Sequence, residues 1–121
     1  MVKSYRDLDV WRKAMTLAEL CYQMTDSFPK REVFGLSSQI RRAAVSIASN
    51  IAEGHSRSTR QAYLNHLSIA LGSQSELETQ VELASRLKMA PGEVFAEVSA
   101  LAAEVGRMLH GLVAALEKKA A

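Results

Sequence analysis

Residues 35–57, GLSSQIRRAAVSIASNIAEGHSR, have a helical periodicity with apolar residues on more than one side. At roughly 100° per residue, the apolar side comprises Leu36, Ile40, Ala43, Ala44, Ile47 and Ile51, and the polar stripe beside it comprises Gln39, Arg42, Ser46, Ser49, Asn50 and Glu53. A third side, formed by Arg41, Val45, Ala48 and Ala52, is mostly small and apolar. Because an ordinary amphipathic helix has one apolar face, this pattern predicts a central helix covered by its own bundle and by a second subunit.

The rest of the chain also favours helix. Two prolines and six glycines occur in 121 residues, and the abundant alanine, leucine, glutamate and arginine are good helix formers. Breaks at Phe28-Pro29 and Pro91-Gly92 separate the periodic segments. Helices are therefore predicted at about 7–27, 36–54, 58–88 and 91–116. The expected fold class is all-α, a single domain over residues 1–121 that forms an antiparallel up-down-up-down four-helix bundle.

The apolar spacing also predicts details of packing. In the first helix, Leu8, Trp11, Met15, Ala18 and Tyr22 recur at steps of three and four residues and are expected to face the core. The third helix is expected to be capped by Ser58 and to cross a neighbour closely at Gly72, while Gly54 is expected to end the second helix.

Several classes of protein are not favoured by the sequence. A single cysteine, Cys21, excludes an intramolecular disulfide and fits a reducing compartment. The first residues lack the apolar core of a signal peptide, and no run approaches the ~18 apolar residues that span a membrane. A cytoplasmic protein without membrane contact is therefore expected.

Residues that could carry catalysis are sparse. His55, His66 and His110 are isolated in the sequence and form no metal-ligand motif. Cys21 is expected to pack in the core, and no serine has an obvious base partner. The sequence thus predicts no enzyme activity, no cofactor and no metal.

Basic residues collect at one predicted end of the bundle. In the expected topology, the start of the first helix, the turn between the second and third, and the end of the fourth meet there. This end gathers Lys3, Arg6, Arg12, Lys13, Arg57, Arg60, Lys118 and Lys119 against Asp7, Asp9, Glu53 and Glu117. The alternatives are a phosphate-binding surface formed by Arg12, Lys13, Arg57 and Arg60, or an ordinary solvated bundle end.

The polar stripe of the second helix predicts a structural network with the third helix. If the two helices turn near Arg57, Glu53 faces Arg60 and Arg42 lies one turn from Glu76 and Glu78. A buried charge needs a partner, so Arg42 is expected to pair with one of these glutamates and Glu53 with Arg60. The predicted network contains Gln39, Arg42, Ser46, Asn50, Glu53, Glu76 and Glu78, and it serves either packing register or contact with a ligand.

Three segments resemble a known family. They are DLDVWRKAM, TDSFPKREVFGLSSQIRRAAVSIASNIAEG and LSIALGSQSELETQVELA, at residues 7–15, 25–54 and 67–84. They resemble the bacterial four-helix-bundle proteins encoded in intervening sequences of 23S ribosomal RNA genes, to which the accessory variability determinant of diversity-generating retroelements is similar. One departure is Ala48, where the family commonly has proline.

The resemblance implies a homopentameric barrel with a central channel. For the retroelement relatives it also implies nucleic-acid binding and association with a reverse transcriptase. The family motif positions that carry over are Gln39, Arg41, Arg42, Ser46, Asn50, Glu53, Gly54, Arg57, Glu76 and Glu78.

The leading functional hypothesis is a non-enzymatic homo-oligomer, with a pentamer expected, that binds RNA or DNA weakly and without sequence preference through phosphates. No aromatic platform like those of single-strand binders is evident. The alternative is a ring-shaped scaffold that docks a protein partner without touching nucleic acid, favoured by a net charge of only +2. A third possibility is a bundle that holds a metal or a small molecule.

Overall fold

The computed structural model describes residues 2–119, and within them the chain forms four α-helices and no strand. They are α1 (Asp9–Asp26), α2 (Leu36–His55), α3 (Arg60–Arg86) and α4 (Gly92–Lys118), with short 3-10 turns at Tyr5–Asp7 and Lys30–Glu32. Each helix packs against its neighbour in sequence, and α1 packs against α4, which closes the bundle. The predicted all-helical fold is confirmed.

The helix ends differ from the predicted ones by about two residues. Asp7 does not begin α1, because its carboxylate accepts hydrogen bonds from the backbone of Lys3 and Ser4, at 3.1 and 3.2 Å, and closes a capping box around the first turn. At α3 the cap is Thr59 rather than Ser58, since the Thr59 hydroxyl accepts from the backbone N–H of Ala62 at 3.1 Å. A side-chain acceptor at this position satisfies one of the unpaired N–H groups of the first turn.

The buried face of α1 is rotated from the predicted one. Its buried residues are Val10, Ala14, Leu17, Cys21, Met24 and Thr25. Met15 and Tyr22, expected in the core, are 40% and 45% exposed. The periodicity followed the largest side chains, whereas the face that packs between α2 and α4 includes the small residues Ala14 and Cys21.

Two glycines mark the close approaches of the helices, and neither is Gly72. A Cβ at Gly54 would lie 2.8 Å from the Cβ of His66 on α3. A Cβ at Gly106 on α4 would lie 2.7 Å from Nε2 of Gln74. A Cβ at Gly72 would have nothing within 4 Å, so the close crossing predicted there is wrong. Gly54 lies within α2 and serves contact with α3 rather than helix termination.

Among the residues described, α4 alone is long and apolar enough to cross a membrane by length and composition. The sequence analysis looked for an uninterrupted apolar run and missed α4, because widely spaced charged residues interrupt its apolar sequence. The same composition is found in core helices of bundles, and α4 buries Phe95, Val98, Val105 and Leu109 against its neighbours. Only 28% of its most apolar stretch is fully buried, but the other large apolar side chains of α4 pack against the core in part: Val94, Leu101, Met108, Leu112, Val113 and Leu116.

Candidate functional site

The basic end predicted from the sequence is assembled by the antiparallel packing of the helices. We define the basic pole as residues 3–13, 53–63 and 113–119. Lys13 Nζ contacts Glu104 at 2.8 Å, which fixes α1 beside α4 with the last turns of α4 continuing toward this end. The 3-10 turn at Tyr5–Asp7 packs on α2, and the turn from α2 to α3 occupies residues 56–59.

Charge is distributed unevenly between this pole and the rest of the chain. The basic pole holds eight basic side chains (Lys3, Arg6, Arg12, Lys13, Arg57, Arg60, Lys118 and Lys119) and four acidic ones (Asp7, Asp9, Glu53 and Glu117). It therefore carries a surplus of four positive charges, whereas the whole chain has a net charge of +2. The remainder of the protein is consequently net negative, and the positive field originates at one end.

The four predicted phosphate contacts lie at this pole, and three of them have acidic neighbours. Lys13 contacts Glu104, and Arg12 lies 3.6 Å from Asp9. Arg57 contacts Glu53 at 2.7 Å, with both side chains about half exposed. Arg60 has no ion pair within residues 2–119. Exposed ion pairs contribute only ~0–1 kcal/mol, so the contacts of Arg12 with Asp9 and of Arg57 with Glu53 hold these arginines weakly.

The predicted pairing of Glu53 with Arg60 is wrong. Arg57 follows Glu53 by four residues, lies just beyond the end of α2 and reaches Glu53 directly. Contacts between Asn50 and His66 define the register of α2 and α3. Counted from that contact, Glu53 lies level with Tyr63 instead of Arg60, because the turn between the helices lies slightly later in the chain than predicted.

Part of the predicted polar network forms between α2 and α3. The hydroxyls of Ser46 and Ser73 are 2.8 Å apart. Nδ2 of Asn50 donates to the carbonyl of Ser46 at 2.9 Å, and Oδ1 of Asn50 lies 3.0 Å from Nδ1 of His66. Since Nδ2 faces a carbonyl, Oδ1 is the acceptor and the His66 proton resides on Nδ1. Ser73 and His66 were missed because their positions depend on the interhelical register.

Three further members of the predicted network line an open groove, which neither Glu53 nor Glu78 lines. Arg42, Glu76 and Gln39 line a groove of about 370 Å³ between α2 and α3, together with Gln80. Arg42 is exposed and has no ion pair within residues 2–119, so the predicted pair with Glu76 or Glu78 is wrong. The prediction assumed that Arg42 is buried, and exposure removes the need for a partner.

Gln74 reaches across the bundle from α3 to α4. Its Nε2 donates to the backbone carbonyl of Ala102 at 3.0 Å, across the bundle on α4. Gln74 is 6% exposed, and it fills the space that Gly106 leaves open.

Arg41 connects the other end of α1 to α2. Its Nε donates to the Thr25 hydroxyl at 2.7 Å, and its guanidinium contacts Asp26 at 2.8 Å. The guanidinium carbon lies 4.6 Å from the centre of the Tyr22 ring. Arg41 therefore holds the two helices together, although the sequence placed it on a mainly apolar side.

Two aromatic pairs that the sequence did not indicate lie at the basic pole. The rings of Tyr5 and Trp11 are 5.2 Å apart, and the guanidinium of Arg6 lies 5.4 Å from the Tyr5 ring and 6.0 Å from the Trp11 ring. The rings of His55 and Tyr63 are 5.8 Å apart. The sequence signal that could have revealed the Tyr5–Trp11 pair is the capping motif that folds Tyr5 back onto α1.

The nucleophile and metal candidates are dispersed. Cys21 is fully buried, and burial raises the pKa of its thiol to about 12, so the reactive thiolate is disfavoured. Burial also raises the pKa of Tyr63. Within residues 2–119, no three histidine, cysteine, aspartate or glutamate side chains are grouped as metal ligands.

The fold and this charge distribution define an all-helical bundle protein with one basic end. The family model for the 23S rRNA-intervening sequence protein matches residues 6–111. The chain therefore belongs to the 23S rRNA-intervening sequence protein family.

A solved structure gives independent support for the fold. The chain is similar to a crystal structure of a protein with unknown function from the S23 ribosomal protein family of Bacteroides thetaiotaomicron. The two share 26% identity with a TM-score of 0.78, over 86% of this chain and 97% of that chain. No curated protein matches this chain.

Proposed function

We propose that this protein is a non-enzymatic, cytoplasmic accessory protein that binds RNA or DNA weakly and without sequence preference through its basic pole. The observation that carries the proposal is the surplus of four positive charges at one end of a chain whose net charge is +2. A concentrated positive field attracts polyanions and aligns them with the surface from which it originates.

The residues at this pole suit contact with a phosphate backbone. Arg57 lies in the turn from α2 to α3 and Arg60 is the first residue of α3, and both are exposed. Arginine and lysine neutralise phosphates without distinguishing bases, and counterion release then makes the affinity depend on salt. Non-specific binding of this kind is consistent with the small number of cations at the pole.

The experiment is a salt series of binding to a mixed-sequence RNA and to DNA. The double variant Arg57→Ala/Arg60→Ala is compared with wild type between about 50 and 200 mM salt. We expect weaker binding and a slope of log affinity against log salt that is smaller by roughly 1.5, since each phosphate contact contributes about 0.7 to 0.9.

The matched control removes two charges from the opposite end. Lys30→Ala/Arg31→Ala changes exposed residues of the other 3-10 turn and lowers the net charge by the same amount. This control is expected to retain most of the affinity and the wild-type slope. Equal losses in both double variants, or no salt dependence in the wild type, would refute the basic pole as the binding surface.

We further propose that the protein assembles as a homopentamer. The support is the exposed apolar side chains of Met15, Val45 and Ile69 on the sides of the bundle. Large exposed apolar patches commonly mark interfaces. Light scattering should give about five times the chain mass of 13.3 kDa, and a monomer would refute the proposal.

A second candidate function is a scaffold that docks a protein partner without contacting nucleic acid. Phe34 favours it, because this side chain is 96% exposed in the loop before α2. A pull-down after nuclease treatment separates the candidates. A protein partner that survives nuclease and is lost in Phe34→Ser supports the scaffold, and loss of all partners with nuclease supports nucleic-acid binding. We also propose that the protein is related to the accessory proteins of retroelements and, like them, associates with a reverse transcriptase. Direct binding of this protein to such a reverse transcriptase would test the proposal.

A further inference from the structure

The two aromatic pairs of the basic pole lie at the same level of the bundle. The hydrogen bond between Arg41 and Thr25 fixes the register of α1 and α2. Trp11 precedes Thr25 on α1 by as many residues as His55 follows Arg41 on α2. Because the two helices are antiparallel, Trp11 and His55 lie at the same level. His55 itself contacts Tyr63 on α3, with perpendicular rings 5.8 Å apart. The pole therefore presents aromatic side chains from three helices at one level.

The first pair includes an arginine positioned for stacking. The guanidinium of Arg6 lies 5.4 Å from the centre of the Tyr5 ring and within 6.0 Å of that of Trp11, and Arg6 is exposed. Tyr5 and Trp11 are each partly exposed. Unpaired bases stack on arginine guanidinium planes as well as on aromatic rings.

The backbone of this group is held in place. Ser4 and Asp7 form a capping box that fixes the 3-10 turn, and Nε of Arg12 donates to the carbonyl of Arg6 at 2.8 Å. Arg12 is thus a neighbour of the platform as well as a source of positive charge. Cations beside stacking groups are the combination that binds single strands, because the backbone and the bases are engaged together.

We infer that the basic pole binds unpaired bases of single-stranded RNA or DNA, with Tyr5, Arg6 and Trp11 as a stacking platform. This inference rests on the proposed function and adds the class of ligand. Duplexes offer phosphates to the same cations but keep their bases stacked inside, so they gain only the electrostatic contribution. Because every base has a π face, the platform selects unpaired strands without selecting a sequence.

The test uses the full-length protein with a single-stranded oligonucleotide, as RNA and as DNA, and with the duplexes of the same sequence. Trp11 is the only tryptophan of the chain, so its fluorescence reports directly on the platform. We expect tighter binding of both single strands than of the duplexes at the same salt concentration, with quenching of Trp11 by the single strands. RNA and DNA single strands should differ little from one another.

The variant is Tyr5→Leu, which removes a ring without changing the charge. It should weaken single-strand binding roughly fivefold to a hundredfold and leave duplex binding and the salt slope unchanged. The matched control is Tyr22→Leu, which removes an exposed tyrosine that also lies against an arginine, Arg41, but outside the basic pole. This control should bind single strands as wild type does.

The outcomes separate this inference from the proposed function. Equal affinity for single strands and duplexes, unchanged Trp11 fluorescence on binding, or equal losses in the two tyrosine variants would overturn the stacking platform while leaving phosphate binding in place. Failure of the wild type to bind any of the four probes at low salt would overturn both.

Discussion

The two ends of this bundle are built from the same helices but have different surfaces. We define the distal pole as residues 24–38 and 82–97, opposite the basic pole. It holds Lys30, Arg31, Arg86 and Lys88 against Asp26, Glu32, Glu82, Glu93 and Glu97, a net charge of −1. It also exposes large apolar side chains, with Val33, Phe34 and Leu87 each more than half exposed. The basic pole has none of the large exposed apolar residues.

The difference arises outside the core. The inward faces of α1 to α4 must be apolar because they pack against one another. These faces therefore carry little information about function. The turns and terminal residues are free of that demand, so charge and exposed apolar surface can differ between the ends. The basic pole fits a polyanion, while the distal pole fits an apolar partner. If the two ends are separable, a substitution at one end leaves the property of the other end unchanged.

The largest expected effect is at Gly54, which permits the close packing of α2 and α3 beside the basic pole. Gly54→Ala places a Cβ 2.8 Å from the Cβ of His66 and 3.0 Å from the Tyr63 ring. Neither contact involves the end of a flexible side chain, so the helices must move apart. We expect the free energy of unfolding to fall by roughly 1–3 kcal/mol, as measured by chemical denaturation.

Gly72→Ala is the matched control for that substitution. Nothing lies within 4 Å of the new Cβ, and alanine is favoured over glycine inside a helix by up to about 1 kcal/mol. The free energy of unfolding should therefore rise. The same sign for both variants would show that helix propensity, rather than close packing, determines the effect at Gly54.

The second prediction compares one arginine from each end. Arg41 is only 28% exposed at its side chain, and it contacts Thr25, Asp26 and the Tyr22 ring. Arg41→Ala should lower the free energy of unfolding by about 1–2 kcal/mol, because its bonds are partly shielded from water.

Arg57→Ala provides the contrast. Its pair with Glu53 is about half exposed on both sides, and such pairs contribute ~0.5 kcal/mol or less on a helix. Its effect on unfolding should be near the limit of measurement, while its effect on nucleic-acid binding should be clear. Comparable destabilisation by the two substitutions would mean that Arg57 is structural and poorly placed to serve a ligand.

The third prediction concerns the core that joins the two ends. The pKa of the Cys21 thiol is raised from 9.0 to about 12 by burial. The thiol is therefore protonated when folded and ionises on unfolding above pH 9, so its stabilising contribution is present below pH 9 and is lost as the pH rises toward 12. The free energy of unfolding should fall by about 1.4 kcal/mol between pH 8 and pH 10 from this group.

Cys21→Ala should reduce that decline. Tyr63 has a raised pKa as well and contributes a further loss in the same direction at higher pH, which the alanine variant retains. An unchanged slope in Cys21→Ala would contradict burial as the cause of the shift.

The smallest effect on stability is expected at the distal pole. Phe34 is 96% exposed, and Phe34→Ser should change the free energy of unfolding by less than about 0.5 kcal/mol. Nucleic-acid binding should also be unchanged, whereas contact with another protein through this loop should weaken. A loss of RNA affinity equal to that of Arg57→Ala/Arg60→Ala would show that the two poles are not independent surfaces.

The sequence was sufficient to predict the helices because local signals mark them. Proline, glycine and capping residues lie near each boundary, and apolar periodicity identified the face of α2 that carries Ile40, Ala44, Ile47 and Ile51 as buried. On the small, apolar third side of α2, Ala48 is buried but Val45 is 42% exposed. It was also sufficient to gather the basic residues at one end, since that requires only the order of helices and short turns.

The side-chain partners were harder to predict because they depend on helix rotation and register. A shift of the α2–α3 turn by about one residue changed the neighbour of Glu53. A rotation of α1 exposed Met15 and Tyr22 and buried Ala14 and Cys21. The Tyr5, Arg6 and Trp11 group was missed for a different reason, since it depends on a 3-10 turn that periodicity does not detect.

The packing of the helices brings residues 3 and 119 to the same end of the molecule. A purification tag attached before residue 3 or after residue 119 would therefore project beside Arg57, Arg60 and Trp11. A polyhistidine or acidic tag there could imitate or mask a ligand, so affinity measurements should use protein from which tags have been cleaved. The exposed loop around Arg31 to Phe34 offers a distant alternative for a fluorescent label or an immobilisation handle.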